Sequence, residues 1–297
     1  MSTRDYPRLD ISTFGRELVR TGDLDPVYIV LHRAGLPERQ LQRWLVAYWC
    51  FYSVGAASWL SEHEGNDFWE WMALAAHNEV PAPTQDRWPR GHERRHFRGT
   101  KSVTAVYSLR GLYGDCPHKM VQYVSGFGRM AGEPAITCSQ VVARMREHPQ
   151  FGPWIGFKAA DMIERIGIAE VSFTLEDVLR VESPREAAVR WWEMTYNTKP
   201  ESPLLALKEC ARQLMYTEDG LVAQAGCSMR LTAPPRNERL CGLQEVETVL
   251  CKWGSHLNGH YPVGNDWEEV YTSLCAWATY SETARRLAAH IPLDVAS

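Results

Sequence analysis

The stretch RWPRGHERRHFRGTK carries six cations, Arg87, Arg90, Arg94, Arg95, Arg98 and Lys101, against a single acid, Glu93. Arginine presents a planar fork that meets two phosphate oxygens at once, whereas lysine acts as a point charge. The run therefore suits a DNA backbone or a diphosphate, with Arg94, Arg95, His96 and Arg98 as its candidate contacts. The plain alternative is a solvated basic loop. His92 and His96, spaced i and i+4, would share a face if the segment were helical.

A second group lies in ETVLCKWGSHLNGHYPVG. Glu247, Cys251 and Lys252 fall within about one helical turn, and His256, His260 and Tyr261 follow across a glycine-rich turn. Glu and His supply proton acceptors while Lys and His supply cationic donors, so the group suits acid–base work beside a phosphate. A metal site built on Cys251, His256 and His260 would lack a nearby fourth ligand and matches no common zinc spacing. Neither a metal nor another cofactor is expected.

A third stretch, FGPWIGFKAADMIERIG, sets two glycines and a proline before a helical run that holds Lys158. Unsatisfied amides and the helix dipole favour an anion at such a start, and Gly152 or Gly156 would let a nucleic-acid backbone come close. The alternative is an ordinary helix boundary with Lys158 in solvent.

Helical periodicity dominates the elements that must position these groups. LPERQLQRWLVAYWCFYSV is apolar on nearly every face, as a central helix is, and SEHEGNDFWEWMALAAHN follows as a second helix. Prolines and a glycine make EVPAPTQDRWPRGHERRHFRGTK a loop. TAVYSLRGLYG, PHKMVQYVSGF and CSQVVARMREH are short helices. SPREAAVRWWEMTYN is a longer one, with Ser183 as N-cap and Pro184 in the first turn. TAPPRNERL is a loop, and two helices around a Gly, Asn and Pro-rich turn close the chain, the second being DWEEVYTSLCAWATYSETARRLAAH. Alternating strand patterns are scarce, so the fold class is all-α.

The 297 residues, 45% hydrophobic and 23% charged, describe an ordinary soluble globular protein. A formal net charge of −4 excludes a uniformly basic nucleic-acid coat but leaves local patches open. No export signal is visible at the N-terminus, and eight cysteines without a C-x-x-C pair read as reduced thiols, so a cytoplasmic location is expected. The apolar run from Trp44 to Leu60 is short for a membrane span and reads as buried core.

FGPWIGFKAADMIERIG resembles the helix–hairpin–helix turn of the DNA glycosylase superfamily, usually L-P-G-V-G-x-K-x-A before an apolar helix. Gly156, Lys158 and Ala160 take matching places and Pro153 stands one position out of step. A catalytic aspartate follows further along in that superfamily; Leu175, Glu176 and Asp177 occupy the region here, so the aspartate itself is not secured. Four strings in order, RWLVAYWCFYSVG, ERRHFRG, FGPWIGFKAADMIER and VETVLCKWGSHLNGHYPVG, are more closely similar to the phage amino acid:DNA transferases, a branch of the same fold. The likeness spans roughly residues 37 to 265.

The resemblance implies an all-α, helix–hairpin–helix DNA glycosylase-like fold in one unit over residues 1–297. Its two helical lobes would be 37–135 with 190–297, and 136–185 carrying the hairpin. It also implies thymine hypermodification in phage DNA within the infected host. An amino acid or other small amine would replace pyrophosphate on 5-(pyrophosphoryloxymethyl)uracil that is flipped out of double-stranded DNA. Gly152, Trp154, Gly156 and Lys158 would hold the DNA, and Tyr52 would fill the gap left by the flipped base. Arg94, Arg95, His96 and Arg98 would neutralise pyrophosphate. The catalytic set would be drawn from Glu176, Asp177, Glu247, Lys252, His256 and His260. A glycosylase that removes a modified thymine through Glu176 and Asp177, and a non-catalytic DNA-binding protein, are the competing readings.

Overall fold

The computed structural model describes residues 6–78, 80–126, 134–216 and 231–292. Among them the chain forms α1 (Ile11–Thr21), α2 (Pro26–Ala34), α3 (Glu38–Phe51), α4 (Val54–Leu60), α5 (Gly65–His77), α6 (Thr100–Tyr113) and α7 (His118–Ser125). There follow α8 (Cys138–Arg146), α9 (Pro153–Arg165), α10 (Leu175–Leu179), α11 (Glu182–Tyr196) and α12 (Pro203–Tyr216), then α13 (Leu243–Leu257), α14 (Asn265–Trp277) and α15 (Glu282–Ala288). Two strand fragments, Ile136–Thr137 and Val171–Ser172, complete the regular structure, so the fold is all-α. The chain divides into two compact units, residues 1–29 with 171–267 and residues 30–170 with 268–297.

The second of these units is built on α3. Every residue from Gln42 to Phe51 is buried, which is why its sequence is apolar without a polar stripe. The apolar run does not continue as one helix: Tyr52 turns into the left-handed region, and the Ser53 hydroxyl then caps α4 by accepting from the Ala56 amide. No described helix is long and apolar enough to cross a membrane.

Three local expectations are corrected. His92 and His96 share no α-helix, because the segment folds into one 3₁₀ turn, His92–Arg94, and α6 begins only at Thr100. Ser183 is not an N-cap, since α11 already starts at Glu182 behind an extended Val181. The last helix is two: the chain breaks after Trp277, and Ser281 caps α15 through the Ala284 amide.

In the first unit, the N-terminal segment is tied to α13 and α14 by two clamps. The Asp23 carboxylate is fully buried and accepts from the amides of Gly264, Asp266 and Trp267 and from the Tyr261 hydroxyl. It thereby caps α14 from a distant part of the chain. Lys252 completes this clamp, donating its three protons to the carbonyls of Asp23 and Leu24 and to the Asp266 carboxylate. The second clamp is His256. Its Nε2 accepts from the Leu9 amide at 2.9 Å, its Nδ1 donates to the Tyr261 carbonyl at 2.8 Å, and its ring lies 4.4 Å from that of Phe14. Only a neutral imidazole satisfies both bonds.

Burial pushes the Asp23 carboxyl up to about 6 against the pull of the Lys252 ammonium and the amides. A buried acid with a raised value stabilises the fold below its ordinary range, near 3.8, and that contribution is lost as pH rises through about 6. Asp23→Asn is expected to flatten the part of the stability curve between these limits. Because its NH₂ faces amide donors, it should also lower unfolding free energy at neutral pH by about 2 kcal/mol. Urea titrations across pH check both, and an unchanged slope refutes the assignment. Burial lowers the His256 value, so this clamp holds above about 6.5 and weakens as pH falls. Amide exchange at Leu9 is expected to quicken in mild acid, and in His256→Ala to be fast throughout.

Candidate functional site

The hairpin between α8 and α9 is set by its backbone. Thr137 closes a capping box with Gln140 to start α8. After Glu147 the chain turns through Gln150, which has φ 67°, and Gly152, extended and exposed, becomes the N-cap of α9. Pro153 at the first helical position needs no hydrogen bond and already has helical φ. No side chain caps α9. Gly156 serves packing instead: a Cβ there would lie 3.1 Å from the Cα of Val142, so its absence lets α9 press against α8.

Lys158 is only 6% exposed, its ammonium 5.8 Å from the centre of the Phe157 ring. With Asp161 and Arg165 it forms a buried charged stripe along an otherwise apolar helix. Gly152 and Pro153 face solvent beside the half-buried Trp154, and Arg146, Glu147 and Pro149 are exposed on the approach to the turn.

The basic run splits into an inner and an outer set. Arg90 turns inward, donating to the carbonyls of Ala75 and Ala76 and to the Asn78 side chain at the end of α5, and to the carbonyls of Trp88 and Phe97. It answers the Ala75 carbonyl and shares the Ala76 carbonyl with the Gly99 amide. Arg94, 1% exposed, bridges the Cys50 carbonyl at the end of α3 and the Gln150 carbonyl in the hairpin. Its guanidinium lies over the rings of Phe97 and Phe151. Arg87, Arg95, His96, Arg98 and Lys101 are exposed. Arg95 is steadied by the His92 carbonyl and ring.

Tyr52 joins the same cluster. It ends α3 in the left-handed region at φ 52°, a costly conformation for a bulky residue. Gly91 makes that conformation possible, because a Cβ there would stand 2.6 Å from the Tyr52 carbonyl oxygen. The Tyr52 ring lies tilted against Tyr48 at 4.6 Å and meets Trp154 edge-on at 5.1 Å, while Tyr48 stacks on the buried Trp44. A ladder of four aromatic rings thus leads from the core to the hairpin's exposed turn. Burial pulls the Arg94 and Arg90 guanidinia down to about 10, which leaves both charged at neutral pH. His96 is lowered by burial and by Arg94 beside it.

The remaining candidates belong to the other unit. Glu176 is exposed in the first turn of α10, whereas Asp177 is buried, closes a capping box with Thr174 and pairs with Arg180. Glu247 is fully buried on α13 and accepts from the Thr248 hydroxyl and the Cys251 thiol. Lys252 and His256 are the interior clamps described above, and His260 is exposed. The residue reading passed over Asp23, Asp161, Arg165 and Gln150. It also passed over Glu245, a buried carboxylate bridged twice by Arg239. A spacing of i, i+3 and i+7 among charged residues announces the stripe on α9; Asp23 has no comparable local signal.

Comparison with known proteins supplies what geometry alone does not. Residues 18–261 match the family model described as amino acid:DNA transferase. Over 288 residues, 95% of this chain and 96% of the relative, it is 42% identical to a protein of Pseudomonas phage PaMx11 named glycinyltransferase. It is 24% identical over 280 residues, 93% of this chain and 81% of the relative, to a protein of Delftia phage PhiW-14 named putrescinyltransferase. The chain with this arginine-braced hairpin belongs to the amino acid:DNA transferase family, and it is a transferase acting on DNA.

Proposed function

We propose that the protein transfers an amine onto a thymine-derived base of double-stranded DNA, with glycine as the first donor to test. The observation that carries this reading is the match along almost the whole chain to a relative named glycinyltransferase. The substrate base is 5-(pyrophosphoryloxymethyl)uracil. The amine nitrogen forms a bond to the exocyclic methylene carbon as the carbon–oxygen bond to pyrophosphate breaks. The bonding pair leaves with pyrophosphate, and the amine proton passes to a general base. No glycosidic bond is cut, so the aspartate of a glycosylase is not required at the Glu176–Asp177 position.

The two halves of the basic run divide the work. Arg90 and Arg94 shape the loop, and the exposed Arg95 and Arg98 supply charge to the phosphates, stabilising the negative charge that develops on the leaving group. Gly152 and the open first turn of α9 receive a backbone phosphate. Tyr52 and Trp154, which meet edge-on at the outer end of the aromatic ladder, offer an aromatic surface against a base taken from the helix. Among the residues considered for the general base, Glu176 and His260 keep exposed side chains, whereas Asp177, Glu247 and His256 are engaged in interior contacts.

Duplex DNA carrying the activated base, incubated with enzyme and glycine and then digested to nucleosides, is expected to give a glycine adduct by mass spectrometry. Free base and abasic sites in its place would establish base excision, and no adduct with glycine, other amino acids or putrescine would end the proposal. Arg95→Ala and Arg98→Ala are each expected to weaken duplex binding about fivefold. Each should also lower the dependence of log affinity on log salt by about one unit, with no change in melting temperature. Arg90→Ala is expected to lower the melting temperature instead, since it leaves several carbonyls without donors. Equal behaviour of the three variants refutes the division into inner and outer arginines.

A further inference from the structure

Where the basic loop joins α6, the second unit carries a pocket of opposite character. Glu70, Leu74 and His77 stand at i, i+4 and i+7 on α5, and Val103 and Tyr107 at i and i+4 on α6, so each set shares one helix face. These two faces and Val80 border a pocket of about 370 Å³. Its walls are fixed by the fold. The Gly99 amide, one residue past Arg98, donates to the Ala76 carbonyl and ties the start of α6 to the end of α5, while the Trp88 indole donates to the Val80 carbonyl. Leu74, Val80 and Tyr107 are 37%, 41% and 51% exposed, a concentration of large apolar side chains that marks a contact surface. Apolar walls with two polar groups, Glu70 and His77, have the composition of a small-molecule site.

Among the described residues, Glu70 is the acid that lines this pocket, and no Lys or Arg lines it. Arg95, Arg98 and Lys101, by contrast, stand exposed on the loop and at the start of α6. A carboxylate among apolar walls repels phosphate and attracts an ammonium. We propose that the α5–α6 pocket binds the amine substrate as its ammonium, paired with Glu70, with its carbon body against Leu74, Val80 and Val103. The exposed Tyr107 ring adds a face for the same cation. Two substrates of opposite charge thus meet two surfaces of opposite charge within one unit. This deepens the transferase reading and rests on it for the identity of the ligand.

Calorimetric titration of putrescine and of glycine into the full-length protein, alone and with unmodified duplex, tests the site. Glu70→Gln removes the charge and keeps the shape, and Leu74→Arg brings a cation into the pocket; both positions are exposed. Each variant is expected to weaken amine binding by about tenfold or more. Duplex affinity should not fall in either, since both changes make the protein more positive. Asp67→Asn makes the same change of charge as Glu70→Gln at an exposed position in the first turn of α5, outside the pocket. It is expected to alter amine binding by no more than about twofold. In the transfer assay, Glu70→Gln should raise the KM for the amine about tenfold and leave that for DNA unchanged.

Binding of either amine that falls in Glu70→Gln and Leu74→Arg but holds in Asp67→Asn supports the inference. A variant that unfolds reveals itself by losing duplex binding as well, and the other then decides. The inference is overturned if the wild type binds neither amine in either condition, if a folded pocket variant binds as the wild type does, or if Asp67→Asn loses as much as Glu70→Gln. If amine binding depends on Glu70 while no adduct forms on DNA, the proposed reaction falls and the amine site stands. Transfer with an amine KM indifferent to Glu70→Gln does the reverse.

Discussion

A guanidinium removed from water demands acceptors, and the second unit gathers backbone carbonyls from separate elements around two such groups. Arg90 collects the last carbonyls of α5, and Arg94 collects those at the ends of α3 and of the hairpin turn. The bonds to α3, α5 and the hairpin turn are not local in sequence, so the loop that carries both residues makes them only when those elements have taken their places. The left-handed Tyr52, the glycine packed against it and the exposed arginines all take their positions from that closure. A lysine at either site would keep the charge and lose the fork that spans two segments.

The same demand explains which parts of the site were legible in the chain. Clustered arginines announce a cationic surface, and the glycine–proline start of α9 announces an uncapped helix; both are local signals and both survive in the structure. What spacing does not reveal is the side of the loop each arginine takes. Arg90 and Arg94 lie four residues apart with their inward direction fixed by helices elsewhere, whereas Arg95, adjacent to Arg94, faces solvent. Lys158 shows the opposite case. Its burial is foreshadowed by Asp161 and Arg165 at helical spacing, a pattern that marks a polar stripe set into an apolar helix rather than a charge at a mouth. His256 and Lys252 read as chemistry because their residue types allow it, yet each is consumed by partners at the far end of the chain. Asp23, the acid on which that assembly centres, carries no motif at all.

Charge without a partner is the thread that joins scaffold to reaction. A phosphate-transferring or phosphate-displacing site gains from positive potential that is fixed before substrate arrives, since no reorganisation then opposes the developing negative charge. An exposed arginine supplies such potential weakly because water screens it. An interior one supplies it strongly and costs stability when no anion is present. The second unit carries both kinds within nine residues of each other, from Arg90 to Arg98.

The capping of α14 by Asp23 sets a constraint on biosynthesis. The partners that Asp23 and Leu9 need lie between residues 252 and 267, so the N-terminal segment leaves the ribosome long before anything exists to receive it. Until most of the chain has been made, α1 must persist on its own cap or wait unfolded, its apolar face available to other chains. The first unit is thus completed late, and its order of assembly is dictated by one buried carboxylate rather than by the direction of translation.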